Sequence, residues 1–230
     1  MNVLEIKNIS KSFDGRKVVD NVSLCVGQGK IVGLLGKNGS GKSTIIKMIN
    51  DLLTIESGEI LVCGEHVGVQ TKQNVSFLPE RTYLSSDYTV KQTIEFFSDF
   101  YSDFDAQKAE KLLGALDLDI NAKLAKMSKG MKEKVQLILV MSRKARLYVL
   151  DEPLSGVDPS TRDVIMRTIL TNLNDDSGLL ITTHLINDVE KILDEVVFID
   201  KGKVVLSENA DELRERENKS IDEIFRSKIQ

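Results

Sequence analysis

The chain has 230 residues, 31 of them basic and 35 acidic, which gives a formal net charge of −4. That length suffices for one large α/β domain with an inserted subdomain. The nearly balanced charge argues against binding to DNA, RNA or an anionic membrane surface, because those partners attract a basic surface. No run approaches the roughly 18 apolar residues of a transmembrane helix. Glu5 and Lys7 stand where a signal peptide would be apolar, so we expect a soluble protein.

The first part of the chain is predicted to form antiparallel strands. Apolar and polar residues alternate up to about residue 27, and Asp14-Gly15 between them is a typical hairpin turn. The cysteines Cys25 and Cys63 lie in such runs without a His or Cys partner at metal-binding spacing, so we expect reduced core residues. Residues 30–35 form a nearly continuous apolar run, which predicts a fully buried strand.

The next segment matches the phosphate-binding pattern G-x-x-x-x-G-K-[ST] at every fixed position. It consists of Gly36, Lys37, Asn38, Gly39, Ser40, Gly41, Lys42, Ser43 and Thr44. The glycines let successive backbone N–H groups, and the positive end of the following helix, face one phosphate chain. In this pattern Lys42 reaches the β- and γ-phosphates and the Ser43 hydroxyl holds Mg²⁺. A nucleotide-binding loop is predicted; the alternative is an ordinary glycine-rich turn capped by Ser40 or Ser43.

The remaining sequence predicts an α/β fold interrupted by helices. Helical spacing of apolar residues runs from Ile45 to Leu53 and dominates residues 81–145. Short strands are predicted at 59–63, 75–78, 147–150, 179–182 and 196–199. Their alternation with helices after residue 145 favours a parallel sheet with helices on both faces. We predict one domain, with an α/β core at 1–80 and 146–230, a helical subdomain at 81–145 and a C-terminal helical tail at 208–230.

An acidic pair closes the predicted strand at 147–150. A magnesium–nucleotide site needs a carboxylate at the end of an apolar strand, and Asp151 stands there with Glu152 directly after it. Neighbouring residues at a strand end point in different directions, so Asp151 can face the metal while Glu152 faces an attacking water as general base. The alternative is a polar strand end that leads into the turn at Pro153.

Together these motifs resemble the nucleotide-binding subunit of ATP-binding-cassette (ABC) transporters over nearly the whole chain. The phosphate loop, the helical insertion and the segments 150–153, 155–158 and 181–184 occur in that family's order. The resemblance implies an α/β P-loop NTPase with a RecA-like parallel-sheet core, an N-terminal antiparallel β subdomain and an inserted all-helical subdomain. It also implies that ATP is sandwiched between two head-to-tail subunits, with each phosphate loop facing a Ser-Gly-Gly-Gln signature of the other.

The sequence departs from the family pattern in two places. The signature reads Ser128, Lys129, Gly130 and Met131, and Lys129 is similar to variants found in bacterial drug, bacteriocin and sodium exporters. Ser128 keeps a hydroxyl, Gly130 allows close approach, and a helix starting there presents free N–H groups to a γ-phosphate. Alternatively, Ser128 is only a helix cap. Glu80 occupies the position where the family usually has a glutamine. Three roles are open for Glu80: it binds the metal directly, it lies near the metal without binding it, or it is a solvated loop residue.

Three further residues match positions to which the family gives a role. His184 matches the switch histidine between γ-phosphate and water. Asp158 matches the residue that crosses the dimer interface, and Phe13 matches the aromatic on which adenine stacks. Each also has a plainer interpretation. His184 can be a surface or capping residue, Asp158 before Pro159 a helix cap, and Phe13 a core aromatic of its strand.

The resemblance implies an ATPase that uses ATP and Mg²⁺ and powers a membrane transporter, with an exporter of a drug, peptide or ion as the expected type. Its expected partners are an integral membrane subunit and a second copy or paralogue of the chain, with no nucleic acid. The expected location is cytoplasmic, peripheral at the inner face of the cell membrane. One alternative is a soluble, non-transport ATPase of the same family. A GTPase or small kinase is disfavoured, because the only Asn-Lys pair is Asn218-Lys219, without the following x-Asp of a guanine site.

Overall fold

The computed structural model describes residues 1–155 and 157–229. Its strands are β1 (Asn2–Phe13), β2 (Arg16–Gly27), β3 (Ile31–Leu35), β4 (Ser57–Val62), β5 (Glu65–His66), β6 (Val75–Leu78), β7 (Leu147–Asp151), β8 (Gly178–Thr183), β9 (Glu195–Asp200) and β10 (Lys203–Asn209). Its helices are α1 (Lys42–Ile49), α2 (Val90–Phe100), α3 (Ala106–Ala115), α4 (Lys129–Met141), α5 (Pro159–Asn172), α6 (Ile186–Val189), α7 (Ala210–Glu217) and α8 (Ile221–Lys228).

The central layer is a six-stranded sheet in the order β10-β9-β3-β8-β7-β6. Its first strand, β10, runs antiparallel to β9, and the other neighbours are parallel. Every residue of β3 and β7 is buried, because helices or the second sheet cover both faces. This explains why both strands read as unbroken apolar runs, and it confirms the α/β P-loop fold.

The N-terminal strands form a second, antiparallel sheet in the order β2-β1-β4-β5. The predicted hairpin turn is present, with Asp14 and Gly15 at φ 48° and 76°. The expectation of two core cysteines is wrong for Cys25, which is exposed, while Cys63 is half-buried. The period of two explains this, because Leu24 and Val26 face the core and Cys25 between them must face outward.

Helix α1 lies between the two sheets, with Ile45, Ile46, Met48 and Ile49 buried in the cluster that joins them. The sequence predicts this helix as far as Leu53, but it ends at Ile49. Asp51 adopts φ 54°, a left-handed conformation that stops the helix, and Leu52 is left 63% exposed. The side chain of Leu52 therefore belongs to the surface.

Helices α2, α3 and α4 occupy the predicted helical insertion and enclose a hydrophobic cluster of their own. Thr89, Asp105 and Ser128 cap their N-termini with side-chain oxygens, which satisfies backbone N–H groups that a helix start leaves free. In the part of the chain described, no helix is long and apolar enough to cross a membrane.

The C-terminal tail folds back on the core. Ser220 and Glu223 form the predicted capping box of α8, and Ile221, Ile224 and Phe225 on its inner face are buried. The ring of Phe225 packs edge-on against Phe198 of β9, with 5.2 Å between ring centroids. This helix therefore contributes to the hydrophobic core beside the central sheet.

Candidate functional site

Four parallel strands end at the same edge of the central sheet, and the candidate residues follow them. The phosphate loop comes after β3, Glu80 after β6, Glu152 after β7, and His184 after β8. The carboxyl ends of parallel strands meet at one edge, where α/β proteins place their ligand sites. The topology therefore gathers residues that are up to about 150 positions apart in sequence.

Two glycines of the phosphate loop are required by the surrounding backbone. A Cβ atom on Gly36 would lie 2.5 Å from Ser40 Oγ and 2.6 Å from the Ile199 carbonyl oxygen. Gly41 has φ 108°, and a Cβ there would lie 2.8 Å from the Val18 carbonyl oxygen. Only a residue without a side chain allows the loop to curl this tightly against β2 and β9.

The curled loop leaves backbone donors free. Within the described residues, the N–H groups of Gly41, Lys42, Ser43 and Thr44 donate to no other group of the protein. They surround the N-terminus of α1, where the helix dipole is positive. These donors line a cleft of about 280 Å³ that also contains Asn38, Gly39, Glu80, Glu152 and His184. The arrangement suits a chain of phosphate groups.

Lys42 points back into the cleft and is almost fully buried. Its Nζ atom donates to the carbonyl oxygens of Gly36 and Lys37 at 2.6 and 3.3 Å, and lies 3.5 Å from Glu152 Oε1. The exposed fractions of the Lys42 and Glu152 side chains are 5% and 7%. A buried charge pair of this kind is held by contacts that a phosphate could replace, because phosphate offers the lysine a stronger acceptor.

Glu152 is held in an unusual backbone conformation, with φ 50°. Its N–H group donates to both the carbonyl oxygen and the hydroxyl of Thr182, each at 3.1 Å. Its Oε2 atom lies 2.8 Å from His184 Nδ1 and accepts from the His184 N–H group at 3.2 Å. Its Oε1 atom is buried and has no hydrogen-bond partner among the described residues. One carboxylate oxygen is thus fixed by His184, and the other, 3.5 Å from Lys42 Nζ, accepts no hydrogen bond from the described part of the chain that a ligand would have to displace.

Asp151 lies at the end of β7, where its Oδ1 atom accepts from the Thr182 hydroxyl at 2.7 Å. Burial raises the pKa of this carboxyl group; hydrogen bonds from Thr182 and Ser43 oppose the rise, and the charges of Glu152 and Glu80 add to it. A buried carboxylate beside the Ser43 hydroxyl fits a divalent cation, which would relieve its desolvation. Among the residues described, no three His, Cys, Asp or Glu side chains form a metal cluster by themselves. Magnesium suits such a site, since phosphate and water complete its coordination.

Glu80 is exposed and lines two spaces at once. One is the phosphate-loop cleft, and the other is a cavity of about 600 Å³ bounded by α4, α5 and the end of β7. Its position is compatible with a solvated loop residue and with a residue that senses a bound nucleotide.

The signature residues stand at the start of α4, as their resemblance implies. The Ser128 hydroxyl accepts from Met131 N–H at 3.2 Å, so Ser128 does cap the helix, and Lys129 pairs with Glu133 at 3.6 Å. A Cβ atom on Gly130 would meet nothing within 4 Å, so the fold of this chain does not require glycine there. Residues 128–131 are not among the described residues that line the phosphate-loop cleft.

Phe13 and Asp158 have definite places in the fold. Phe13 ends β1 and is 43% exposed, so its interpretation as a core aromatic is wrong; Lys11 Nζ lies 5.7 Å from the centroid of its ring. Asp158 caps α5 by accepting from Thr161 N–H at 3.0 Å, and Pro159 begins the helix. Gly156, in the same family segment, lies outside the described residues.

Thr182 is a residue of the candidate site that the sequence analysis missed. It contacts the carboxylate of Asp151 and the backbone of Glu152, and it is fully buried. The available signal was a threonine inside an apolar strand, since a buried hydroxyl needs a hydrogen-bond partner. Its partner could not be read from the sequence, because β7 and β8 pair only in the folded sheet.

Several known proteins are similar to this chain in sequence and fold. A family profile described as ABC transporter matches residues 19–155. The chain is 31% identical over 216 residues to the ABC transporter ATP-binding protein YtrB of Bacillus subtilis, covering 93% of this chain and 74% of that protein. It is 29% identical over 223 residues to Nod factor export ATP-binding protein I of Cupriavidus metallidurans, covering 94% and 74%. A solved structure of an ATP-binding subunit of an ABC transporter superimposes with a TM-score of 0.89, at 28% identity and 98% coverage of both chains.

Proposed function

Because this chain belongs to the ABC transporter family of ATP-binding proteins, we propose that it hydrolyses ATP to power a membrane transporter. The proposal of a hydrolytic step rests on the arrangement of the Glu152 carboxylate. His184 fixes one oxygen of its carboxylate, while the buried Oε1 atom has no hydrogen-bond partner in the described structure. Oε1 then accepts a proton from the water that attacks the γ-phosphate, and general-base catalysis of this kind is typically worth about 10²–10⁴ in rate.

The phosphate loop residues Gly36 to Thr44 hold the ATP phosphates through backbone N–H groups and Lys42. Ser43 and Asp151 hold Mg²⁺, which neutralises charge on the phosphates when it is bound. Glu80 completes the rim of the same cleft. Phe13, half-exposed at the end of β1, offers a ring face on which adenine stacks.

The site is completed by a second copy or a paralogue of the chain. Ser128, Lys129, Gly130 and Met131 do not line the cleft of their own chain. The open space around Gly130 lets another molecule approach the helix start closely, where free N–H groups meet a γ-phosphate. Asp158 would contact the same partner across the interface. ATP therefore joins two subunits head to tail, and hydrolysis separates them.

Export is the direction that the name of one relative supports, and the name of a second points to drug resistance. One is a Nod factor export protein, and another, 31% identical over 211 residues, is a linearmycin resistance protein of Bacillus subtilis. We propose a drug, a peptide or an ion as the cargo class. The chain then works at the inner face of the cell membrane, bound to an integral membrane subunit.

A groove of about 770 Å³ between the core and the helical subdomain is the proposed contact with that membrane subunit. Its rim carries apolar side chains that are exposed to solvent: Leu52, Val69 and Phe100 are 63%, 80% and 67% exposed. Contiguous exposed apolar residues mark interaction surfaces, and these lie next to the loop that carries Glu80. Motion at the nucleotide can thus reach the groove through that loop.

The test combines hydrolysis with co-purification from the native membrane. The purified protein should hydrolyse ATP, and Glu152→Gln protein extracted in mild detergent should retain an integral membrane protein. Val69→Ser with Phe100→Ser should release that protein. Val205→Ser with Leu170→Ser should not, since these two residues are 50% and 43% exposed but lie outside the groove. Hydrolysis without any membrane partner would instead support a non-transport ATPase.

A further inference from the structure

Arg162, in the first turn and a half of α5, bridges the loop before α5 and helix α6. Its Nε atom donates to the Val157 carbonyl oxygen at 3.0 Å, and its Nη1 atom donates to Asp188 Oδ2 at 2.9 Å. Val157 directly precedes Asp158, and Asp188 lies in α6, four residues after His184. One guanidinium group thus joins the Asp158 segment to the helix that follows the histidine.

The bridge continues to the carboxylate of Glu152. Helix α6 begins two residues after His184, and the turn between them is closed by Leu185 N–H donating to the Thr183 hydroxyl at 2.9 Å. The His184 ring then contacts Glu152 at 2.8 Å. A continuous series of contacts therefore connects the Asp158 segment to the Glu152 carboxylate, which lies beside Lys42.

Attachment of α6 does not depend on this bridge. Ile186 and Val189 of α6 are 2% and 0% exposed and share one hydrophobic cluster with Ile165 and Ile169 of α5. Apolar packing holds the helix on the core but is not directional. The two hydrogen bonds of Arg162 add direction, because a planar guanidinium donates along fixed lines to both acceptors.

We propose that Arg162 is a positioning residue that couples the Asp158 segment to His184, so that the contact between His184 and Glu152 depends on the position of that segment. A second subunit that moves the segment would then adjust the histidine before hydrolysis. The kinetic part of this inference rests on the proposed function, whereas the structural part does not.

The histidine content of the chain makes a direct test possible. The protein has two histidines, and the other, His66, is exposed on β5, with Nε2 4.0 Å from Glu59 Oε2. NMR of the imidazole rings therefore yields two sets of signals, which the His66→Gln variant assigns. In Arg162→Met we expect the His184 ring signals to shift or broaden as the Glu152 contact loosens. The His66 signals should stay in place as an internal reference.

Two variants and one control separate positioning from simple stabilisation. Asp188→Asn should change the His184 signals as Arg162→Met does, while Arg162→Lys, which keeps the charge but not the two-directional donor geometry, should give a smaller change. Arg216→Met is the control, because Arg216 forms an exposed pair with Glu208 at 2.6 Å away from the site. It should leave both histidines unchanged.

In steady-state hydrolysis, Arg162→Met should lower kcat about 3- to 30-fold, the range seen when a coupling residue is removed, with KM for ATP nearly unchanged. Adding Asp188→Asn to it should cause no further loss. Unchanged His184 signals in a folded Arg162→Met or Asp188→Asn protein would overturn the proposal. If the wild-type protein hydrolysed no ATP, the proposed function would fail while the NMR result still decided the coupling.

Discussion

Replacing Glu152 by glutamine should separate nucleotide binding from hydrolysis. The substitution keeps the size of the side chain and removes its charge. In the wild-type chain, Oε2 faces the N–H group and the Nδ1 atom of His184, and Oε1 faces Lys42 at 3.5 Å. The amide oxygen of glutamine should take the place beside His184, where an N–H donor needs an acceptor. Its NH₂ group then points at Lys42, which loses its anionic neighbour.

Two magnitudes follow from this geometry. Loss of the general base should slow turnover about 10²–10⁴-fold. The attraction between unit charges 3.5 Å apart is about 5 kcal/mol at an effective dielectric constant of about 20. Lys42 keeps its two carbonyl acceptors, so the net change is much smaller, about 1 kcal/mol or more, and ATP affinity should rise at least about fivefold. The variant should therefore bind ATP more tightly and accumulate as an ATP-bound dimer.

Three measurements check these outcomes. Single-turnover phosphate release gives the hydrolysis rate, equilibrium dialysis with labelled ATP gives the affinity, and size-exclusion chromatography with light scattering detects the dimer. The chain contains no tryptophan, so intrinsic fluorescence is a poor substitute for dialysis. Glu59→Gln is the matched control, since Glu59 is a half-buried carboxylate away from the site, paired with Lys7 at 2.9 Å. Phosphate release by Glu152→Gln within about tenfold of wild type would refute the assignment of Glu152 as base.

Two further outcomes follow from the shared site and from the burial of Asp151. Hydrolysis by the isolated protein should rise more steeply than linearly with protein concentration, and strict proportionality down to high dilution would argue against a dimeric site. Burial raises the pKa of the Asp151 carboxyl group above its ordinary value of 3.8. The folded protein therefore loses stability as the pH rises from 3.8 to the raised pKa, and above the raised pKa the full loss is present. Asp151→Asn keeps an oxygen for the Thr182 hydroxyl and should raise the nucleotide-free Tm at pH 7 by about 2–4 °C, or about 1 kcal/mol, while removing stabilisation by Mg-ATP. Scanning fluorimetry should show this difference shrinking towards pH 4; a lower Tm than wild type at pH 7 would contradict the assigned cost of burial.

Local sequence patterns correctly predicted the structural features that depend only on neighbouring residues. The glycine spacing at residues 36–41, the capping box of α8 and the proline that starts α5 are each set by backbone geometry within a few residues. The continuous apolar runs of β3 and β7 likewise follow from burial on both faces. The same reasoning failed at Leu52, where the left-handed turn at Asp51 ends α1 before the apolar pattern does.

The sequence by itself determined the fold class, the phosphate loop and the acidic strand end, because those features are encoded in short-range spacing. Only the tertiary structure decided which side chains meet. Lys42 and Glu152 are brought to 3.5 Å, Thr182 reaches Asp151, and Arg162 joins Val157 to Asp188. Most of these contacts depend on the order and register of strands that are far apart in the chain. No local periodicity specifies which strand lies next to which, so the pairing of the site's residues appears only in the folded sheet.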